Sequence, residues 1–455
     1  MSQFDLMPDD ELRLLEQTLR TLGKGFSTLP AVANAHDYAA MQAVLESAAE
    51  RMHDNYPYAH PLYAGQMLKP PHPVARIAYQ MAMSLNPNNH ALDGGRASSA
   101  MEKEAVVDLA SMFGLADHLG HLTSSGTIAN LEALWIAGQE RPGQLLGASV
   151  EAHYTHRRIS EVLGLEFAPI AVDGEGRLDC NAVEALAAEG RLGTVVATAG
   201  TTSFGVVDPV DKIVALAERY GFRVHVDAAY GGYFSLLDSL PATTQAAYAA
   251  IKHADSVAID PHKHGLQPYG CGCVLFADAH VGKHYKHDSP YTYFSSNELH
   301  LGEISLECSR AGAAATALWS TQQLLPLRHD GVFAGMLDAC INAARSLAML
   351  LEKEPLCVVV QPPELDIVVW AIQADTGTEA SARAQRVFEL AAESDLHLAL
   401  IEVDSNRIPQ YADSSPTVTC LRSCLMKPEH EQWIDRIWAI LQRVTQQVVR
   451  ERGNA

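Results

Sequence analysis

At 455 residues the chain exceeds what a single hydrophobic core serves, so two or three folding units are expected. Hydrophobic residues make up 48% and charged residues 19%, an ordinary globular composition. A formal charge of −21 argues against nucleic acid, whose phosphates need clustered Lys and Arg, and against docking on an anionic membrane.

The first residues carry neither a basic region nor an apolar run, so no secretory signal is read. No apolar run approaches the length of a membrane span. The eight cysteines are scattered, and neither Cys271-Gly272-Cys273 nor Cys420 with Cys424 has zinc-site spacing. The expectation is a cytoplasmic protein with reduced thiols and no metal.

Leu12, Leu15, Leu19 and Leu22 predict a helix from residue 9, and a second covers 38–52. Proline-rich breaks at 56–61 and 69–73 make residues 1–72 an arm rather than a domain, suited to wrapping a partner subunit. A helix over 100–113 follows Ser98 and Ser99 as N-caps. Candidate strands at 145–150, 167–172, 194–199, 222–227, 256–260 and 272–276 then alternate with helices such as 182–188 and 213–220. That alternation predicts a mostly parallel sheet flanked by helices over 73–330, its last strand, after only a short turn, either antiparallel or a sheet neighbour reached by another route. Residues 283–310 read as a long loop, usually functional inside a compact domain, and a helix covers 311–325. Residues 331–455 read as a smaller α+β domain with strands at 357–361, 367–372 and 397–403 and two closing helices.

Chemistry concentrates at the ends of the predicted strands, where open α/β sheets bind ligands. Thr123-Ser124-Ser125-Gly126-Thr127 opens a helix, and hydroxyls and free N–H groups there suit a phosphate, although an ordinary N-cap uses the same residues. His153 follows one strand and could stack on a flat ring, while His156 and Arg157 belong to the next helix. Gly200-Thr201-Thr202 ends another strand in small and hydroxyl residues. Asp227 closes His225-Val226-Asp227-Ala228-Ala229, where a carboxylate could pair with a buried cation such as a protonated pyridine. Lys263, in Asp260-Pro261-His262-Lys263-His264-Gly265, lies on the turn after the next strand and could form a Schiff base. Each piece has a bland alternative, and their joint order is what points to one site.

In these motifs the chain resembles the group II pyridoxal-phosphate-dependent amino-acid decarboxylases, fold-type I enzymes that include aromatic amino-acid, tyrosine, glutamate and aspartate decarboxylases. The resemblance covers roughly residues 60–320 and is most specific in the H-V-D-A-A and D-P-H-K segments. It implies a homodimer with the active site at the interface, and decarboxylation of an L-amino acid to an amine and CO2 through a Lys263 Schiff base. It implies that Asp227 binds the pyridine nitrogen, that His153 stacks on the ring, and that Ser125, Gly126 and Thr127 hold the phosphate. Thr201, Ala229, Asp260 and His262 complete the implied cofactor set. The family's Cα proton donor is often a loop tyrosine, here Tyr291.

Two departures bear on the substrate. Many aromatic-specific members carry Trp where His264 stands, placing His264 where specificity could be set, and Asp260 fits the archaeal and bacterial tyrosine/aspartate branch better than the aromatic one. An acidic substrate would want an arginine, for which Arg96 and Arg310 are candidates. Another carbon–carbon lyase or an aldehyde synthase on the same scaffold is the alternative activity, and a catalytically inactive homologue the alternative of another class.

Overall fold

The computed structural model describes residues 5–33, 35–286, 300–412 and 415–452. Two helices lead, α1 (Asp9–Lys24) and α2 (Tyr38–Met52), and neither has a buried residue. Arg76 of α3 (Pro73–Met83) ties α1 down by reaching the Leu6 carbonyl and pairing with Glu11. α4 (Arg96–Met112) starts earlier than expected, behind Gly95, so Ser98 and Ser99 lie inside its first turn and do not cap it. The reason is burial: both are drawn inward, where Ser98 Oγ donates to Asn89 Oδ1 at 2.5 Å.

The large domain is one sheet with helices against it. In chain order it runs β1 (Leu119–Thr123), α5 (Gly126–Glu140), β2 (Leu145–Ser149), α6 (Thr155–Leu163), β3 (Phe167–Ile170), α7 (Cys180–Ala188) and β4 (Leu192–Thr198). Then come α8 (Val210–Tyr220), β5 (Arg223–Asp227), α9 (Ala242–Ala250), β6 (Ser256–Ile259) and β7 (Gly272–Phe276). The strand order is β1-β7-β6-β5-β4-β2-β3. The five strands from β6 to β3 are parallel, and β7 is antiparallel to both its neighbours, as its short connection requires. Every residue of β2, β4, β6 and β7 is buried, so these strands read as continuous apolar runs rather than alternating ones. β1 was not anticipated; its Gly-His pair lacks the apolar signature, and its pairing with β7 spans some 150 residues of chain. Register puts Thr198 beside Asp227 and Asp227 beside Ala258, so the carboxyl ends of β4, β5 and β6 finish level.

α10 (Gly312–Leu324) packs on α3 and α4, and α11 (Val332–Glu352) leads into the small domain. There β8 (Cys357–Val359), β9 (Ile367–Ile372), α12 (Gly377–Ala392), β10 (Ala399–Asp404), β11 (Thr417–Cys424) and α13 (His430–Arg452) form an antiparallel sheet of order β10-β11-β9-β8 backed by helices. One expectation is corrected here: two helices were to close the chain, and the first is instead β11, a central strand. Its β-branched Thr417, Val418 and Thr419 suit a strand buried between β10 and β9. By length and mean hydropathy, 1.2 over its most apolar window, α11 could cross a bilayer, against the reading of the sequence. In this fold its apolar side, from Phe333 to Leu351, is core.

The segment Leu62–Ala64 also pairs with the small domain. Ala64 N donates to the His397 carbonyl, His397 N to the Leu62 carbonyl, and Cys424 N to the Ala64 carbonyl, all at 2.8–2.9 Å.

Candidate active site

The level ends of β4, β5 and β6 face the N-terminus of α5 across a cavity of about 190 Å³. Ser125 is the N-cap of α5, its Oγ accepting from Ile128 N at 3.3 Å, so it does what an N-cap does and also fronts the cavity. The first N–H groups of a helix have no intrahelical partner, and those of Gly126 and Thr127 bring a positive dipole end to the cavity. Glycine is required at 126 because a Cβ there would lie 2.6 Å from either Asp260 carboxylate oxygen.

Opposite this end sits Asp227, buried at the tip of β5. Its Oδ1 accepts from Ala229 N at 3.1 Å and its Oδ2 from His156 Nε2 at 2.8 Å. Burial alone would push its pKa up. The His156 hydrogen bond and the charges of His156 and Lys263 outweigh that and hold the carboxyl well below the usual carboxylate range. It is therefore an ionised carboxylate in a dry site, ready for a cationic ring nitrogen.

Lys263 lies between these two ends. Its turn is closed by Lys263 N donating to the Asp260 carbonyl at 2.9 Å, and Nζ is 3.0 Å from Asp260 Oδ2. Asp260 Oδ1 is buried and has no hydrogen-bond partner among the described residues. His262 Nδ1 is 2.8 Å from the Cys271 carbonyl, which makes Nδ1 the protonated nitrogen, and burial lowers its pKa. His153 lines the cavity with Nδ1 2.8 Å from Thr155 Oγ1, and burial lowers its pKa too, leaving a neutral ring suited to stacking.

A layer behind the cavity supports this arrangement. Burial pushes the pKa of His225 down to about 3, so its imidazole is neutral. Its Nε2 lies 2.7 Å from Asn130 Oδ1 and its Nδ1 2.9 Å from Ser256 Oγ. Nε2–H therefore donates to Asn130, which itself lines the cavity.

Of the expected site residues, Ser125, Gly126, Thr127, His153, Asp227, Ala229, Asp260, His262 and Lys263 all line this cavity. Thr201 does not: its Oγ1 accepts from Val206 N at 3.2 Å inside the turn, and Thr202 is the residue at the wall. His264 is also corrected, because it points away from the cavity and is fully buried against Asp366 of the small domain, Nε2 to Oδ2 3.1 Å. Arg310 is consumed by Glu102 Oε1 and the Leu122 carbonyl, at 2.5 and 2.7 Å from Nη1, and Arg96 is exposed on α4. Tyr291 lies outside the described residues. Reading the motifs left out His156, although its i+3 spacing from His153 placed it on the first turn of α6, and it left out Asn130 and Tyr230 as wall residues.

These donors fit pyridoxal phosphate: an anion seat at one end, a buried ionised carboxylate at the other, and an amine between them. The family model for the pyridoxal-dependent decarboxylase conserved domain matches residues 139–373, just over half of the chain. An L-tyrosine decarboxylase of Enterococcus faecium is 30% identical over 428 residues, 70% of each chain. An L-aspartate decarboxylase of Thermococcus kodakarensis is 29% identical, covering 72% of this chain and 84% of its own. Among solved structures mouse CSAD superposes with a TM-score of 0.78 at 21% identity, covering 95% of this chain and 91% of the other, which shows the fold-type I arrangement. The chain belongs to the pyridoxal-dependent decarboxylase family.

Proposed function

We propose that this protein decarboxylates an L-amino acid using pyridoxal phosphate held at Lys263. The observation that carries the reading is the convergence of the α5 N-terminus, Asp227 and Lys263 Nζ on one cavity. When bound, the cofactor supplies an electron sink for the pair left on Cα as CO2 departs. Ser125, Gly126 and Thr127 hold its phosphate, and His153 packs on the ring face. Asp227 keeps the ring nitrogen protonated, and His156 fixes the rotamer of Asp227. Lys263 would hold the cofactor through Nζ, and the same amine could carry a proton to or from the reacting carbon.

Two named relatives act on tyrosine and aspartate, and tyrosine, aspartate and 2,4-diaminobutyrate head the substrates to screen. No arginine lines the cavity among the described residues, which supports a neutral side chain over an acidic one. Purified protein with added cofactor is expected to release CO2 and the matching amine. Aldehyde and ammonia without amine would instead support the synthase alternative.

The arm supports a homodimer. Met41, Val44, Leu45, Ala48 and Met52 lie on one face of α2, and every residue of that helix is exposed in the single chain. A second copy covers that face. Light scattering is expected to give twice the chain mass, and Val44→Glu with Leu45→Glu is expected to lower it.

A further inference from the structure

Asp366 stands at the start of β9, fully buried at the seam between the two domains. Its Oδ2 lies 3.1 Å from His264 Nε2, on the residue next to Lys263. Its Oδ1 accepts from the Tyr230 hydroxyl at 2.6 Å, and Tyr230 is a wall of the cavity. The two rings it holds also touch each other, edge to face with centroids 5.0 Å apart, and His264 rests against Phe234 at 4.7 Å. One carboxylate thus holds the cavity wall by a hydrogen bond and packs directly against the residue beside Lys263.

The lysine turn needs such a grip. Leu266, three residues on from Lys263, has φ of +64°, a left-handed conformation that strains a non-glycine residue. Large-domain contacts hold the turn on two sides: His262 N donates to the Cys271 carbonyl at 3.1 Å, and Gln267 Nε2 to Thr321 Oγ1 at 2.9 Å. On the third side stands the small domain, through Asp366.

We propose that Asp366 is a positioning residue for the reaction, one that sets the Lys263 turn and the Tyr230 wall by the seat of the small domain on the large one. This rests on the decarboxylase reading, since it concerns placement of the cofactor-bearing lysine. It acts through His264 and Tyr230 and touches neither cofactor nor substrate. A partner from the small domain makes the cavity geometry a property of the closed two-domain unit.

The test is a cofactor titration of the full-length apoprotein, read from the visible absorbance of lysine-bound pyridoxal phosphate, beside kcat and KM from CO2 release. Asp366→Ala is expected to weaken cofactor binding about tenfold and to lower kcat while KM stays within twofold. Asp366→Asn keeps an acceptor for Tyr230 and is expected to lose less than threefold in affinity. Wild-type affinity and kcat in Asp366→Ala overturn the proposal whatever its melting temperature, because a purely structural role lowers stability alone. An Asp366→Asn as poor as Asp366→Ala also overturns it. Where Asp366→Ala does not fold, Tyr230→Phe decides in the same titration: a threefold or greater loss sustains the proposal and unchanged affinity refutes it. If the unsubstituted protein develops no visible band, the decarboxylase reading is what fails.

Discussion

Replacing His156 with alanine removes one hydrogen bond from Asp227 and leaves Oδ2 of a buried carboxylate unpaired. The two atoms are 2.8 Å apart and both side chains are almost wholly buried, so water does not replace the lost donor. A hydrogen bond to a buried charged group contributes about 1.5–3 kcal/mol. At about 1.4 kcal/mol per factor of ten, cofactor affinity is expected to fall by about ten- to a hundredfold. The pH profile gives a second readout. The carboxyl of Asp227 is held below the usual range with the help of His156, so losing His156 lets it rise, and the acid edge of activity moves to higher pH. His156→Gln keeps an N–H donor and is expected to recover part of both effects. The experiment is a cofactor titration of apoprotein, with initial rates measured across pH. Unchanged affinity together with an unmoved acid edge would show that Asp227 does not depend on His156, and the account of the site would fail at that point.

Lys263→Ala is expected to abolish the covalent cofactor adduct while leaving the fold intact; a borohydride-stable adduct on the variant would contradict the assignment. Thr201→Val leaves Val206 N without its acceptor in a buried turn and is expected to cost about 1–3 kcal/mol by denaturant titration, with cofactor affinity unchanged. Acid should destabilise the fold. Burial pushes His225 and His430 down to about 3, so below their ordinary pKa the unfolded chain takes up two protons that the folded chain refuses. Asp208, pushed up to about 7 by burial, works the other way, its contribution growing as pH falls from 7 toward the ordinary carboxylate range. These three groups together predict a fall of about 1.4 kcal/mol per pH unit between pH 6 and 4, and His60, His72, His153, His262, His264 and His397, also lowered by burial, steepen it. A denaturation midpoint flat over that range would refute it.

The sequence carried the site well because its residues sit at punctuation points. A parallel sheet needs buried apolar strands, and the chemistry follows each strand directly, so Asp227 and Lys263 could be placed by pattern alone. Pattern could not say which way a side chain turns. Thr201 and Thr202 are equivalent on paper, and a backbone N–H at Val206 claims the first. His264 stands beside Lys263 in the chain and faces the other domain in space. The Asp227–His156 and Asp366–Tyr230 bonds join residues 71 and 136 positions apart, which no local window relates. β1 and β11 were missed because polar residues weaken their period, and β1 pairs with a strand some 150 residues further along the chain.

The small domain does not begin where its long helix begins. Leu62–Ala64 lies between His397 and Cys424 as a strand in all but name, and Lys427 Nζ donates to the Tyr63 carbonyl at 2.6 Å. Gly65 lies so close to Leu398 that a Cβ would fall 2.5 Å from its carbonyl oxygen. During synthesis this stretch must wait for more than 330 residues before its partners leave the ribosome, and contacts so distant in sequence form slowly. A fragment of residues 331–455 would therefore expose the backbone donors of His397 and Cys424. A peptide of residues 59–68 supplied in trans should bind it, much as a missing strand completes a sheet.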